Sequence, residues 1–90
     1  MYYKITRVKI FDKDFKKLKL SDDYYTKFII YIAKLAEKQS LPIGAKDHQL
    51  KGNYLGYREF HISGDLLVIY KIVENNLVLV RIGSHSELFK

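Results

Sequence analysis

The chain has 90 residues, of which 48% are hydrophobic, and it carries a formal net charge of +6 without any cysteine. This length is enough for one hydrophobic core, so we expect a single domain over residues 1–90. The lack of cysteine excludes a disulfide framework and thiolate metal ligands. No apolar run approaches the roughly 20 residues that a membrane-spanning helix needs, and charges interrupt the first ten positions, where a signal peptide would be apolar. These features predict a cytoplasmic protein.

Basic side chains are concentrated at the beginning of the chain. Residues 1–20 contain seven Lys or Arg and two Asp, a balance of +5, whereas residues 21–40 are neutral and residues 41–90 sum to +1. A positively charged surface attracts polyanions, so nucleic acid is a predicted partner, with an ordinary solvated helix face as the alternative. The candidate RNA-binding residues are Lys4, Arg7, Lys9, Lys13, Lys16, Lys17, Lys51 and Lys71.

The first half of the chain has patterns typical of one strand and two helices. Alternating residues predict a strand over residues 3–10, and the segment 12–19 is typical of a short helix. Ser21 is a favourable N-cap for a second helix that runs to about Gln39. The residues predicted to face inward are Phe15 and Leu18 in the first helix, and Tyr25, Phe28, Ile29, Ile32, Leu35 and Ala36 in the second.

Three strands are predicted in the second half, over residues 57–62, 65–73 and 77–84. The turn signals Ser63-Gly64 and Asn75-Asn76 separate them, so the short spacings indicate an antiparallel meander. The predicted fold is therefore α+β, with an N-terminal strand and two helices packed on a twisted antiparallel sheet.

Even-numbered and odd-numbered residues divide this meander into an apolar face and a polar face, because successive side chains of a strand point to opposite sides. The even positions should lie under the helices: Phe60, Ile62, Leu66, Val68, Tyr70, Ile72, Val78, Val80 and Ile82. The odd positions include Glu59, His61, Asp65, Lys71, Arg81 and His85. Leu67, Ile69, Leu77 and Leu79 are also odd, so part of the polar face should be covered.

Loop length sets the register of the three strands. Three-residue loops would place Asp65 opposite both His61 and His85, and would pair Arg81 with Ile69. Strands lie about 4.8 Å apart, so two imidazoles would flank one carboxylate across roughly 10 Å. A two-residue Asn-Asn turn would need a bulge to keep the same parity.

This set of residues suits metal-free RNA cleavage, in which the ribose 2′-hydroxyl attacks the adjacent phosphate. His61 or Asp65 would take its proton, and His85 would protonate the leaving oxygen, since imidazole titrates near pH ~6.5. Arg81 would stabilise the charge on phosphorus. A zinc site is a weaker alternative because His48 is distant in sequence and no tight ligand spacing appears. A serine hydrolase is weaker still because no nucleophile elbow is present.

Three linked motifs in the segment from Lys46 to Phe89 carry a family resemblance. They are D-H-x-L-x-G, G-Y-R-x-x-H-x-x-x-D and R-x-G-x-H-x-x-L-F, and their order and spacing are more specific than any one alone. This half of the chain resembles the YafQ-type branch of the RelE/ParE toxin superfamily, and the N-terminal strand–helix–helix order fits the rest.

The resemblance implies a microbial-ribonuclease-like fold and a toxin of a toxin–antitoxin pair that cuts mRNA in the ribosomal decoding site. It implies an antitoxin partner with an acidic binding segment and no cofactor. Leu66 differs from relatives that have an aromatic residue after the aspartate, and a leucine cannot stack on a base as an aromatic ring does. The catalytic positions carry over to His48, His61, Asp65, Arg81, His85 and Phe89.

Two rival functions remain at this point. One is a non-catalytic superfamily member such as a gyrase poison, which would not need the His and Asp set. The other is a basic module that binds nucleic acid or protein and has structural histidines. A ribonuclease toxin stops translation, a gyrase poison damages DNA, and an inert module does neither.

Overall fold

The computed structural model describes residues 1–89. It contains five strands: β1 (Lys4–Arg7), β2 (His48–Gln49), β3 (Arg58–His61), β4 (Leu67–Val73) and β5 (Asn76–Gly83). Its α-helices are α1 (Lys9–Lys17), α2 (Asp22–Ala36) and α3 (His85–Leu88), and single 3-10 turns occupy Ile43–Ala45 and Gly52–Tyr54. Within residues 1–89, none of the helices has the length and apolar character to cross a bilayer.

The strands form one sheet in the order β1-β5-β4-β3-β2. Strand β1 runs parallel to β5, and the other neighbours are antiparallel. The predicted α+β fold with an N-terminal strand, two helices and an antiparallel meander is therefore confirmed. Strand β2 was not predicted, because two residues are too few for an alternating pattern to be visible.

The predicted boundary between the first strand and the first helix is wrong. Strand β1 ends at Arg7 and α1 begins at Lys9, so residues 8–10 do not continue the strand and the helix does not start at residue 12. Phe11 is buried, and Phe15 and Leu18 pack against the same core. The spacing of these apolar residues is helical, and burial of that stripe outweighs the local alternation.

Helix α2 begins as predicted, since the Ser21 hydroxyl accepts a hydrogen bond from the Tyr24 amide at 3.2 Å. It ends at Ala36 rather than Gln39, and Lys38 adopts a left-handed conformation with φ 63°. The buried stripe is also rotated from the predicted one. Tyr25 and Ile29 are about half exposed, whereas Tyr31 is buried and packs edge-on against Phe60.

A bulge between β4 and β5 changes the predicted parity of β5. The connecting turn has two residues, with Val73 paired to Asn76, and the register shifts where Tyr70 pairs with Leu79. The extra residue of β5 is therefore Val80. Leu77 and Leu79 consequently face the helices, and the prediction that Val78 and Val80 lie there is wrong. Ile72 lies near the turn and is partly exposed, so its predicted burial is also wrong.

Apolar side chains cover both faces of the sheet. The helix-side cluster contains Phe28, Ile32, Phe60, Tyr70 and Ile82, among others. The smaller site-side cluster on the opposite face contains Leu67, Ile69 and Leu88, with Leu50, Tyr54, Tyr57, Val80 and Phe89 packed against it. Full burial of a Leu or Ile side chain contributes about 1.5–3 kcal/mol. The site-side cluster therefore fixes the 3-10 turn Gly52–Tyr54 and α3 against the sheet, as expected for a partly covered odd face.

Candidate active site

Strands β2 and β3 bring two predicted histidines to one carboxylate on the face opposite the helix-side cluster. His48 pairs with Glu59 across the two strands, and His61 follows Glu59 by two positions and so shares its face. The distance from Glu59 Oε1 is 3.0 Å to His48 Nε2 and 3.7 Å to His61 Nε2. These three side chains form one end of the site, in which Glu59 is buried and His48 is about half exposed.

Glu59 is the only buried charged residue among residues 1–89, with 4% of its surface exposed. Its Oε2 has no hydrogen-bond partner in that part of the chain. An unpaired buried polar atom is costly, so such a group in a native fold calls for a functional explanation. The oxygen is available to a ligand group that donates a hydrogen bond.

The contact of His48 Nδ1 determines where the hydrogens lie between His48 and Glu59. His48 Nδ1 lies 2.6 Å from the carbonyl oxygen of Lys46. A carbonyl only accepts, so Nδ1 carries a hydrogen, and Nε2 of the neutral ring is then an acceptor. Its 3.0 Å approach to Glu59 Oε1 requires one further proton between nitrogen and oxygen. His48 and Glu59 therefore share one hydrogen between Nε2 and Oε1.

The loop between β3 and β4 overturns half of the predicted register. His61 pairs with Leu67, so residues 62–66 form a five-residue connection, and the prediction that His61 lies opposite Asp65 is wrong. Leu67 pairs with Gly83, and Arg81 pairs with Ile69 as predicted. A bulge compensates for the two-residue β4–β5 turn, as the alternative required, but the turn residues are Glu74 and Asn75 rather than the two asparagines. Leu66 packs against the helix-side cluster, away from the polar face.

The Asp65 carboxylate contacts the backbone of His85. The amide of His85 donates to Asp65 Oδ1 at 3.2 Å. His85 begins α3, whose N-cap Ser84 forms a capping box with Glu87. Gly83 allows this close return of the chain, since a Cβ there would lie 3.1 Å from Glu87 Oε1. The His85 imidazole is exposed at the site's C-terminal end.

Aromatic rings support this C-terminal end. Phe89 lies 4.7 Å from the His85 ring, centroid to centroid, and meets Tyr54 edge-on at 5.4 Å. Tyr54 in turn meets Tyr57 edge-on at 5.7 Å, and Lys71 Nζ lies 5.0 Å above the Tyr57 ring. Phe89 therefore holds the His85 ring in place and forms part of an aromatic row on the site face.

Arg81 is held by a carboxylate from α1. Its Nε and Nη2 donate to the two oxygens of Asp14 at 2.7 and 3.1 Å, and the Ile82 amide donates to the same carboxylate at 3.2 Å. These hydrogen bonds raise the pKa of Arg81, against the lowering effect of partial burial. The guanidinium is thus permanently charged and oriented, with part of its donor set already occupied.

Most of the predicted RNA-binding residues are exposed. Lys71 is partly buried over Tyr57, and Arg7 is paired with Asp12 at 2.8 Å. Lys17 lines the same groove as Arg81, so the basic N-terminal surface reaches the edge of the site. The exposed members of the set are Lys4, Arg7, Lys9, Lys13, Lys16, Lys17 and Lys51.

Three residues of the site were not singled out from the sequence. Glu59 had a signal, because it shares the odd parity of His61. Tyr54 and Asp14 had none, since Tyr54 lies in a loop and Asp14 meets Arg81 across 67 positions of sequence. Over residues 1–89, no group of three or more His, Asp or Glu side chains is arranged to hold a metal ion.

Comparisons with known proteins identify the family of this chain. The family described as "Bacterial toxin of type II toxin-antitoxin system, YafQ" matches residues 3–90. The mRNA interferase toxin YafQ of Escherichia coli K12 is 37% identical over 79 residues, which cover 86% of this chain and 74% of the relative.

Solved structures extend the likeness to the whole fold. A metal-bound toxin from Helicobacter pylori is 42% identical, with a TM-score of 0.82 over 99% of this chain and 100% of that one. The E. coli DinJ-YafQ complex matches at 31% identity and a TM-score of 0.82, over 98% of this chain and 99% of that one. The chain belongs to the YafQ family of bacterial toxins of type II toxin–antitoxin systems.

Proposed function

We propose that this chain is an mRNA interferase, an endoribonuclease that cuts mRNA on the ribosome as the toxin of a type II pair. The observation that carries the proposal is the convergence of two imidazoles on the buried Glu59, on the sheet face that also presents Arg81. Family membership and the name of the E. coli relative support the same activity.

The proposed reaction is attack of a ribose 2′-hydroxyl on the adjacent phosphorus. The O2′–P bond forms, the P–O5′ bond breaks, and the products carry a 2′,3′-cyclic phosphate and a 5′-hydroxyl. His61 takes the 2′ proton; we favour it over Asp65 because the Asp65 carboxylate is engaged with the His85 amide. Glu59 orients His61 and shares a proton with His48.

The other half of the reaction is assigned to the C-terminal end of the site. His85 gives a proton to the 5′-oxygen, and Phe89 holds its ring or stacks on a base. Arg81 stabilises the phosphorane with the donors that Asp14 does not occupy. We propose that the reaction needs no metal, because these groups supply the base, the acid and the positive charge.

The proposed partners follow from the family. A structure of the E. coli relative is described as a DinJ-YafQ toxin-antitoxin complex, and we propose that this chain also has a cognate antitoxin in the cytoplasm. The basic residues of β1 and α1 would contact ribosomal RNA phosphates, with strong salt dependence.

Cleavage of mRNA on programmed ribosomes, with mapping of product ends, tests the proposal. We expect a 2′,3′-cyclic phosphate on the upstream product and a 5′-hydroxyl on the downstream product. Gln49→Ala, an exposed change beside His48, is the matched control and should keep the wild-type rate. DNA damage without mRNA cleavage would indicate a gyrase poison instead, and products with 3′-hydroxyl and 5′-phosphate ends, as hydrolysis by a metal-activated water gives, would refute the proposed mechanism.

A further inference from the structure

A second polar cluster lies on the helix-facing side of the sheet, behind the site. The Tyr70 hydroxyl donates to Asp47 Oδ1 at 2.7 Å, and Arg58 Nε lies 3.2 Å from both that oxygen and the Tyr70 hydroxyl. Tyr70 is almost fully buried, at 2% exposure. Asp47 and Arg58 belong to the two motifs that contain His48 and His61, yet the proposed reaction uses neither of them.

The strand that carries His48 has few other restraints. Strand β2 pairs with β3 over only two residues, and one further bond joins the Leu50 amide to the Tyr57 carbonyl at 2.9 Å. Lys46, just before it, has a left-handed backbone with φ 52°. So short a ladder specifies register weakly. An additional anchor is needed to fix which side chain of this segment meets Glu59.

Asp47 is placed to act as that anchor. It directly precedes His48, and successive side chains of an extended segment point to opposite faces. With the Asp47 carboxylate bound to Arg58 of β3 and Tyr70 of β4, the next side chain must point to the other face, where Glu59 lies. Slippage of this segment by one residue would break both hydrogen bonds to Asp47 and turn the His48 imidazole away.

The chemistry of the cluster suits a permanent anchor. Burial and the hydrogen bond to Asp47 raise the pKa of Tyr70, so its hydroxyl remains a donor at all physiological pH values. Partial burial lowers the pKa of Arg58, but its bonds to Tyr70 and Asp47 outweigh that effect, and the guanidinium remains charged.

We propose that Asp47, Arg58 and Tyr70 form a positioning network that holds the His48 imidazole against Glu59 through the sheet. The proposal rests on the proposed function only in that His48 takes part in the cleavage. None of the three residues touches the reacting atoms, so they act through β2. Substitution of any of the three should therefore lower the cleavage rate and change the environment of the His48 ring without weakening mRNA binding.

Tyr70→Phe is the sharpest variant, because it deletes one hydroxyl and leaves the ring in the core. Tyr31→Phe is the matched control, since Tyr31 is a buried tyrosine of the same core that lies outside the network. We expect Tyr70→Phe to lower kcat about tenfold with KM within about twofold, as small misplacements of catalytic groups do. In a His48→Ala background the same change should have no further effect.

Nuclear magnetic resonance of the histidine rings provides a readout that does not depend on activity. In Tyr70→Phe, the ring signals of His48 should move, whereas those of His85, at the other end of the site, should stay. If His48 is unchanged in Tyr70→Phe, the positioning role is refuted even though the nuclease proposal stands. A different outcome is also informative. If the His48 signals move in Tyr70→Phe but His48→Ala cleaves at the wild-type rate, the positioning network is supported and the proposed role of His48 in cleavage is refuted.

A pair of variants at the partly exposed Asp47 keeps the test decisive if Tyr70→Phe folds poorly. Asp47→Asn retains an oxygen that accepts from Tyr70 and Arg58, whereas Asp47→Ala retains nothing. We expect Asp47→Ala to reproduce the loss of kcat and the change at His48, and Asp47→Asn to restore most of both. Equal behaviour of the two variants would overturn the proposal.

Discussion

The two ends of the site are built in opposite ways. At the end formed by β2 and β3, Glu59 is buried and two histidines converge on it from a sheet. At the C-terminal end, His85 is exposed on a four-residue helix and is held by Phe89 and the Asp65 contact. The first end is preorganised at a cost in stability, and the second is open to substrate. We therefore expect different consequences when each is altered.

The largest effects should come from the two proposed proton-transfer groups. His61→Ala and His85→Ala should each lower the cleavage rate about 10²–10⁴-fold, the usual contribution of a general acid or base. An mRNA with a bridging 5′-sulfur at the scissile position distinguishes the ends, because a thiolate leaves without protonation. It should restore the rate of His85→Ala and leave His61→Ala slow. Equal rescue of both variants would contradict the assignment.

Glu59→Gln should have opposite effects on activity and on stability at the end of the site formed by β2 and β3. Loss of the shared proton should lower cleavage about tenfold to a hundredfold. The free energy of unfolding should hold or rise by about 1 kcal/mol, because an incompletely paired buried carboxylate is removed. Chemical denaturation and single-turnover cleavage measure the two quantities. A large loss of stability would show that Glu59 is structural.

Asp14→Ala should have a smaller effect on cleavage than Arg81→Ala, since it removes the orientation of the guanidinium and keeps its charge. It should lower the free energy of unfolding by about 1–3 kcal/mol, because the Arg81 donors and the Ile82 amide lose their partner. Asp12→Ala, at an exposed pair on the same helix, is the control. Faster cleavage by Asp14→Ala would instead show that Asp14 restrains the site.

The smallest predicted effect is on stability at high pH. Burial and Asp47 raise the pKa of Tyr70 in the folded protein. Its contribution to stability is therefore complete below the unfolded tyrosine pKa of about 10 and is lost as the pH rises through the folded value. Wild-type protein should lose stability above pH about 10 more steeply than Tyr70→Phe does. Parallel curves for the two proteins would contradict the buried hydrogen bond.

The sequence predicted the meander and the polar face of β3 because alternation is local. The predicted pairing of Arg81 with Ile69 is also correct, although the expected three-residue loop is wrong. A two-residue turn and a bulge at Val80 together give the same pairing. Strand β2 and the Asp14–Arg81 contact could not be found, because one is too short for a pattern and the other joins distant segments. Glu59 could have been singled out, since its parity placed it beside His61.

The central claim is that the imidazoles on this sheet face cut RNA through the neighbouring 2′-hydroxyl. Its most direct test is single-turnover cleavage of ribosome-bound mRNA that carries one 2′-deoxynucleotide on the 5′ side of the scissile phosphate. We predict that this linkage resists cleavage while the all-ribose mRNA is cut. Cleavage of both at the same rate would contradict the claim.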